Sequence, residues 1–189
     1  MQPTEDVVNE DTIQQRLMAL EDERHIIDTL YQYCHAFDYG RRDELQDCFT
    51  DDAGWYWTAK DAAMQEGLRS QGFTMVGTFD HPLDMDDDPT GAAGHQQLGM
   101  MVSATTGPPQ GWTKHSMSNI RVTINGDDAI TASYFVVVDA SKRTTGGYIM
   151  AFGRYLDELV RCPDGRWRIR RRDCHFEMSF YESPVDAAL

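Results

Sequence analysis

Residues 27–38 read IDTLYQYCHAFD, and the rest of the chain is organised around how that stretch is taken. Ile27, Leu30, Tyr31, Cys34 and Asp38 fall on one stripe at helical spacing. Ile26, Leu30, Tyr33 and Phe37 fall on the adjoining stripe. The spacing predicts an amphipathic helix that carries an aspartate on its apolar arc. A carboxylate in that position loses hydration and needs a partner. The best candidate lies far downstream, at His115 in TKHSMSNIRV, residues 113–122. Asp38 and His115 are therefore expected to form a buried pair able to move a proton. The competing reading is that Asp38 only ends the helix beside Gly40.

Upstream, residues 1–11 are polar and acidic and read as a flexible tail. Asp11 or Thr12 can cap the helix, which then runs to about Phe37, with one break allowed near Glu21. The 189 residues are enough for one domain with a real core. We expect that domain over 12–180 and a short C-terminal tail over 181–189. The formal net charge of -14 argues against a nucleic-acid backbone or an anionic membrane surface as partner. No apolar run of ~18 residues predicts a membrane span, and no basic-then-apolar start predicts a signal peptide. Cys34, Cys48, Cys162 and Cys174 show no paired spacing and read as reduced thiols of a cytoplasmic protein.

Downstream, 42–49 fits a short helix with Leu45, Cys48 and Phe49 inward. The chain then enters a strand around 54–58, where Trp55, Tyr56 and Trp57 suit burial on both faces. A strand near 72–79 fits GFTMVGTF. DHPLDMDDDPTG, at 80–91, is a loop, with two prolines and a cluster of acids. Asp84, Asp86, Asp87 and Asp88 lack the spacing of a calcium loop and read as solvated. A helix fits 92–104, ended by GPPQG. The last third is strands, near 114–124, 129–140, 146–161 and 166–179, with hairpin signals at NGDD and PDG. Helices first and strands afterwards predict an α+β fold, with an antiparallel sheet strongly curved round the long N-terminal helix. Such a cone has an open mouth suited to a small molecule.

CHAFDYGRRDELQDCFTDDAGW, then KHSMSNIRV, then GGYIMAFGRYLDELVRCPDGRWRIRRR resemble, in this order, the SnoaL-like branch of the nuclear transport factor 2-like superfamily. The resemblance covers roughly residues 20–180. It implies a cone-shaped, cystatin-like barrel. Members include scytalone dehydratase, hexachlorocyclohexane dehydrochlorinase, bile acid 7α-dehydratase, ketosteroid isomerase-like proteins, polyketide cyclases and oxygenase small subunits, and several have no known catalysis. By resemblance, Asp38 and His115 match the dehydratase and dehydrochlorinase dyad. Tyr33 matches the tyrosine of the bile acid dehydratase pattern, and Arg172 falls where related enzymes carry a substrate-facing arginine. Residues 60–112, which would line or cover the cavity mouth, are longer and more acidic than the family pattern.

These residues suit elimination of water or HX from an apolar cyclic molecule. A neutral imidazole at His115 is the expected general base, with Asp38 fixing its tautomer. Tyr33 or Tyr56 would donate a hydrogen bond, and Arg172 would hold developing negative charge. Tyr56, Trp57, Asn119 and Arg172 are the expected substrate contacts. The same parts would also run enolisation, so isomerisation and cyclisation stay open, as does a non-catalytic ligand-binding or oxygenase-subunit role.

Each residue has a plainer alternative. His115 shares strand parity with Met117, Asn119 and Arg121, against Ile120, Val122 and Ile124. Either both faces are buried or a bulge resets the register. Tyr33 lies ~140° from Asp38 round an ideal helix and reads equally as a packed core residue. Arg172 belongs to RIRRR, which also reads as a solvated basic strand. His35, His81, His95 and His175 lack metal-ligand spacing, so no metal is expected. No phosphate loop follows a strand, so no cofactor is expected. A homo-oligomer, dimer or trimer, is expected to cover the sheet's apolar outer face.

Overall fold

The computed structural model describes residues 10–83, 87–104, 113–139 and 147–179. The C-terminal tail, most of the N-terminal one, and Asp84 and Asp86 of the acidic loop lie outside these residues. The order is α1 (Glu10–Asp38), α2 (Arg42–Gln46), β1 (Phe49–Ala59), α3 (Ala62–Ser70), β2 (Val76–Thr78), α4 (Ala92–Ala104), β3 (Lys114–Asn125), β4 (Asp128–Asp139), β5 (Tyr148–Arg161) and β6 (Trp167–Ser179). No break occurs in α1 near Glu21. It ends at Asp38, and Gly40, with a φ of 65°, lets the chain turn sharply beyond it. The unexpected element is α3, capped by Asp61, whose side chain accepts from the Met64 amide.

Six strands form one curved, open sheet in the order β2-β1-β6-β5-β4-β3. Strands β3 to β6 are antiparallel neighbours, as their hairpin turns dictate. β1 departs from the antiparallel expectation. It pairs in parallel with both β6 and β2, so the sheet is mixed. Beyond β2, α4 covers the edge of β1. Gln97 donates to the Trp55 carbonyl at 2.6 Å and accepts from the Met75 amide at 3.0 Å.

α1 is pinned to the inner face at the β5–β6 hairpin. Thr29 donates to the Trp167 carbonyl at 2.8 Å, and Asp22 takes both Arg161 (2.5 and 2.6 Å) and the Trp167 indole N–H (3.2 Å). The D-G-x-W-R hairpin is thus a clamp for the helix as well as a turn. Arg161 holds the Asp22 carboxyl below the usual aspartate range.

The parity conflict in β3 is settled by a bulge. The β3–β4 register shifts between Ser118 and Arg121, and Asn119 takes a positive φ of 52°. His115 and Met117 therefore face inward before the bulge, and Val122 and Ile124 after it. At Gly153, β5 and β6 come so close that an added Cβ would lie 1.9 Å from the His175 carbonyl oxygen. Gly153→Ala is expected to cost about 1–3 kcal/mol, read as a lower urea midpoint. An unchanged midpoint would mean that the two strands separate freely here.

Candidate functional site

Asp38 is the last residue of α1, at the end of the helix dipole that disfavours a negative charge by about 0.3–1 kcal/mol. Its carboxylate reaches across to β3. One oxygen lies 2.6 Å from His115 Nδ1, and the other accepts the His115 backbone N–H at 2.9 Å. Both of those contacts fall on one residue 77 positions away, so the aspartate sets the ring and the strand together. The pair is nearly sealed, with side-chain exposures of 5% for Asp38 and 11% for His115. A carboxylate on Nδ1 favours the proton there and leaves Nε2 as the basic nitrogen. Phe37 meets the imidazole edge-on at 4.9 Å, and Tyr33 at 6.4 Å.

Tyr33 joins the pair to the deeper core. It is buried and touches Phe37, Phe49, Trp55 and Tyr155. Burial pushes its phenol well above the ordinary range against the opposing pull of Arg172, so it remains a neutral hydroxyl. The Arg172 guanidinium lies 4.1 Å from the Tyr33 ring centre and 4.3 Å from that of Tyr155. It is neither a solvated strand arginine nor open to a cavity mouth. Arg172 and Asp157 are both fully buried and form a two-pronged ion pair at 2.7 and 2.9 Å. Thr131 adds a hydrogen bond to Asp157 at 3.2 Å. Arg172 Nη1 has no hydrogen-bond partner among the described residues.

The other expected contacts separate. Trp57 shares the inner face, stacked between Phe73 at 4.4 Å and Phe176 at 4.7 Å. Tyr56 points to the opposite face, as alternation along β1 requires. There its hydroxyl donates to Asp88 at 3.0 Å, Asp88 also accepts the Gly94 amide, and Arg171 covers the ring. Tyr56 is therefore an anchor for α4 and does not meet the Asp38–His115 pair. Asn119 sits exposed on the bulge and is likewise away from the pair. His95 contacts the Ala53 carbonyl and His175 contacts Asp173, so neither joins Asp38 and His115.

Sequence reasoning missed Asp157 and Tyr155. The signal was present, because YLDEL places Tyr155, Asp157 and Leu159 on one strand face. A lone acid among apolar residues there is the same anomaly that exposed Asp38.

A long helix against the inner face of a curved open sheet, with an acid–histidine pair where they meet, places the chain among α+β proteins of cystatin-like fold. The SnoaL-like domain family matches residues 18–173, and the chain belongs to that family. Among solved structures, it is similar to a nuclear transport factor 2-like protein with a cystatin-like fold from Novosphingobium aromaticivorans. Identity is 17%, with a TM-score of 0.62, over 96% of this chain and 95% of that one. It is also similar to a candidate scytalone dehydratase from the same organism, at 19% identity and a TM-score of 0.55, over 85% and 87% of the two chains. A third likeness is to the β subunit of a candidate aromatic-ring-hydroxylating dioxygenase from that organism, at 17% and 0.56, over 86% and 92%. At these identities the likeness concerns fold alone. No functionally curated protein matches the sequence. Among the described residues, no helix is long and apolar enough to cross a membrane.

Proposed function

We propose that this protein is a cofactor-independent lyase that eliminates water or HX from an apolar cyclic small molecule. The observation that carries the proposal is the double contact of Asp38 with the His115 ring and backbone. It leaves Nε2 as a positioned base. Nε2 takes a proton from a ring carbon, the C–H electron pair becomes the double bond, and the group on the neighbouring carbon leaves with its bonding pair. The imidazolium, stabilised by Asp38, returns its proton to a departing hydroxyl, so that water leaves. A halide leaves as the anion, with the proton passing to solvent. Tyr33 donates a hydrogen bond from beside the ring. Arg172 acts through Tyr33, since its charge is paired with Asp157. Trp57 contributes an apolar wall on the same face.

The same base would start an isomerisation or cyclisation through an enolate. A non-catalytic ligand-binding role is favoured by one observation: Tyr33, Trp55, Phe135 and Tyr155 are all buried and packed on one another. A panel of hydroxylated and halogenated ring compounds, screened first by thermal shift and then for turnover, separates these readings. Release of halide or loss of water supports the lyase. Isomerised product supports enolisation, and stabilisation without turnover by any compound supports a carrier.

The proposal extends to assembly and compartment. Ile130, Tyr134, Val138, Ile149 and Phe152 are exposed on the outer face of β4 and β5. Cover by a second or third copy is the expected state, and light scattering should read a dimer or trimer. A monomer at micromolar concentration would refute it. The free thiols Cys34, Cys48, Cys162 and Cys174 fit a reducing cytoplasm.

A further inference from the structure

The face of α4 that looks onto the start of β1 is not fully packed. His95, Leu98, Gly99, Val102 and Ser103 recur at helical spacing on that face. With Phe49 and Asp51 they line a cleft of about 280 Å³. The strand makes room for it. Phe49 pairs with Ile169 and Gly54 with Arg171, so residues 50–53 of β1 stand against residue 170 alone, and the strand bulges.

Gly99 is the anomaly of this face. A glycine inside a helix is unfavourable next to alanine. Gly94, in the same helix, has a packing reason, because a Cβ there would collide with the Tyr56 ring. At Gly99 a Cβ would meet nothing within 4 Å. Packing does not call for this glycine, and its one consequence is the open floor of the cleft.

The two ends of the cleft differ in chemistry. From His95 to Ser103 the helix rises ~12 Å. At the Ser103 end, Arg42 donates to the Ser103 carbonyl at 3.2 Å. At the His95 end the polar groups are acceptors. His95 Nδ1 lies 3.2 Å from the Ala53 carbonyl, which can only accept, so Nδ1 carries the proton and Nε2 keeps its lone pair. Asp51 is exposed and makes no ion pair among the described residues, and Asp52 beside it is exposed too. Phe49, Leu98 and Val102 give the stretch between the ends an apolar lining.

We propose that this cleft binds a small primary amine with an apolar body. The ammonium group donates to the Asp51 carboxylate and to His95 Nε2, and the body lies over Gly99 against Phe49, Leu98 and Val102. A carboxylate beside a neutral acceptor selects a charged donor, and such charge-assisted hydrogen bonds are roughly twice as strong as neutral ones. The net charge of -14 draws a cation in. Asp51 and Asp52 repel an anion from the same end. The volume suits a body of one ring, since ligand pockets begin at about 300 Å³. The cleft shares no residue with the Asp38–His115 pair, so it stands or falls apart from the lyase reading.

The test is a ligand-observed NMR titration of the full chain with three probes of one shape: phenethylamine, 2-phenylethanol and 3-phenylpropionate. The expected result is saturable binding of the amine with a Kd on the order of 1 mM or below, and binding of the other two at least about 10-fold weaker. Asp51→Asn is expected to weaken the amine by about 10-fold or more. Gly99→Leu, which fills the floor, is expected to abolish binding. Melting curves check each fold, and Gly99→Ala is expected to raise Tm by ~2–4 °C, since its methyl enters open space. No saturation by the amine, or equal binding of the alcohol, overturns the proposal. So does tighter binding of the carboxylate, which would place recognition at Arg42. Unchanged amine binding in Asp51→Asn or in a folded Gly99→Leu overturns it as well, because the amine would then lie elsewhere.

Discussion

Asp157→Ala is expected to destabilise the protein by about 3–5 kcal/mol, because it leaves a guanidinium charged and unpaired in a fully buried position. For a chain of this size that is a fall in Tm on the order of 10 °C or more. The Tyr33 and Tyr155 ring faces, at 4.1 and 4.3 Å, return part of the loss, but they supply no acceptor for the two N–H groups that Asp157 takes. The double variant Asp157→Leu/Arg172→Met is expected to recover most of the stability. A buried ion pair replaced whole by apolar groups of like volume is often neutral. The measurement is the urea midpoint of Asp157→Ala and of the double variant. If Asp157→Ala cost under about 1 kcal/mol, the pair would be behaving as an exposed one and the picture of a dry core would fail. Because Tyr33 rests on this arginine, we also expect the double variant to recover stability without fully recovering activity.

The second large effect concerns His115. His115→Ala is expected to lower turnover of whichever ring substrate the panel identifies by about 10²–10⁴, the usual contribution of a positioned general base. The fold should survive, since the ring's apolar neighbours, Phe37 and Tyr33, keep their other contacts. Asp38→Asn should also depress turnover. An amide oxygen can still face one N–H of His115, but its NH₂ would oppose the other. That variant should lose stability as well, by about 1–3 kcal/mol for the buried donor left unmet. The two substitutions therefore separate chemistry from scaffolding. Parallel loss of Tm and activity in His115→Ala would make the histidine a structural residue and remove the proposed mechanism.

Much of this was legible along the chain. Element types came from local signals: the helical spacing of Ile26, Leu30, Tyr33 and Phe37, and the NGDD and PDG turns. The pairing of Asp38 with His115 was also foreseeable, because a carboxylate on an apolar helix arc needs a partner and the strand histidine was the best one available. The helix α3 was not, since its apolar residues Met64 and Leu68 are too few to declare a face. Tyr56 was misplaced because three consecutive aromatics read as buried on both sides. Burial is indeed two-sided there, but the two sides belong to different surroundings.

The sequence alone determined the order of the helices and strands other than α3, the acidic balance of the chain, and the presence of a carboxylate that could not stay unpaired. Those properties depend on neighbours within a turn or a hairpin, or on composition. Only the tertiary structure decided that β1 runs parallel to β6, that a bulge at Asn119 turns His115 inward, and that Arg172 spends its charge on Asp157. Each of those depends on which distant strand lies alongside, and a one-residue slip in register reverses every side chain that follows.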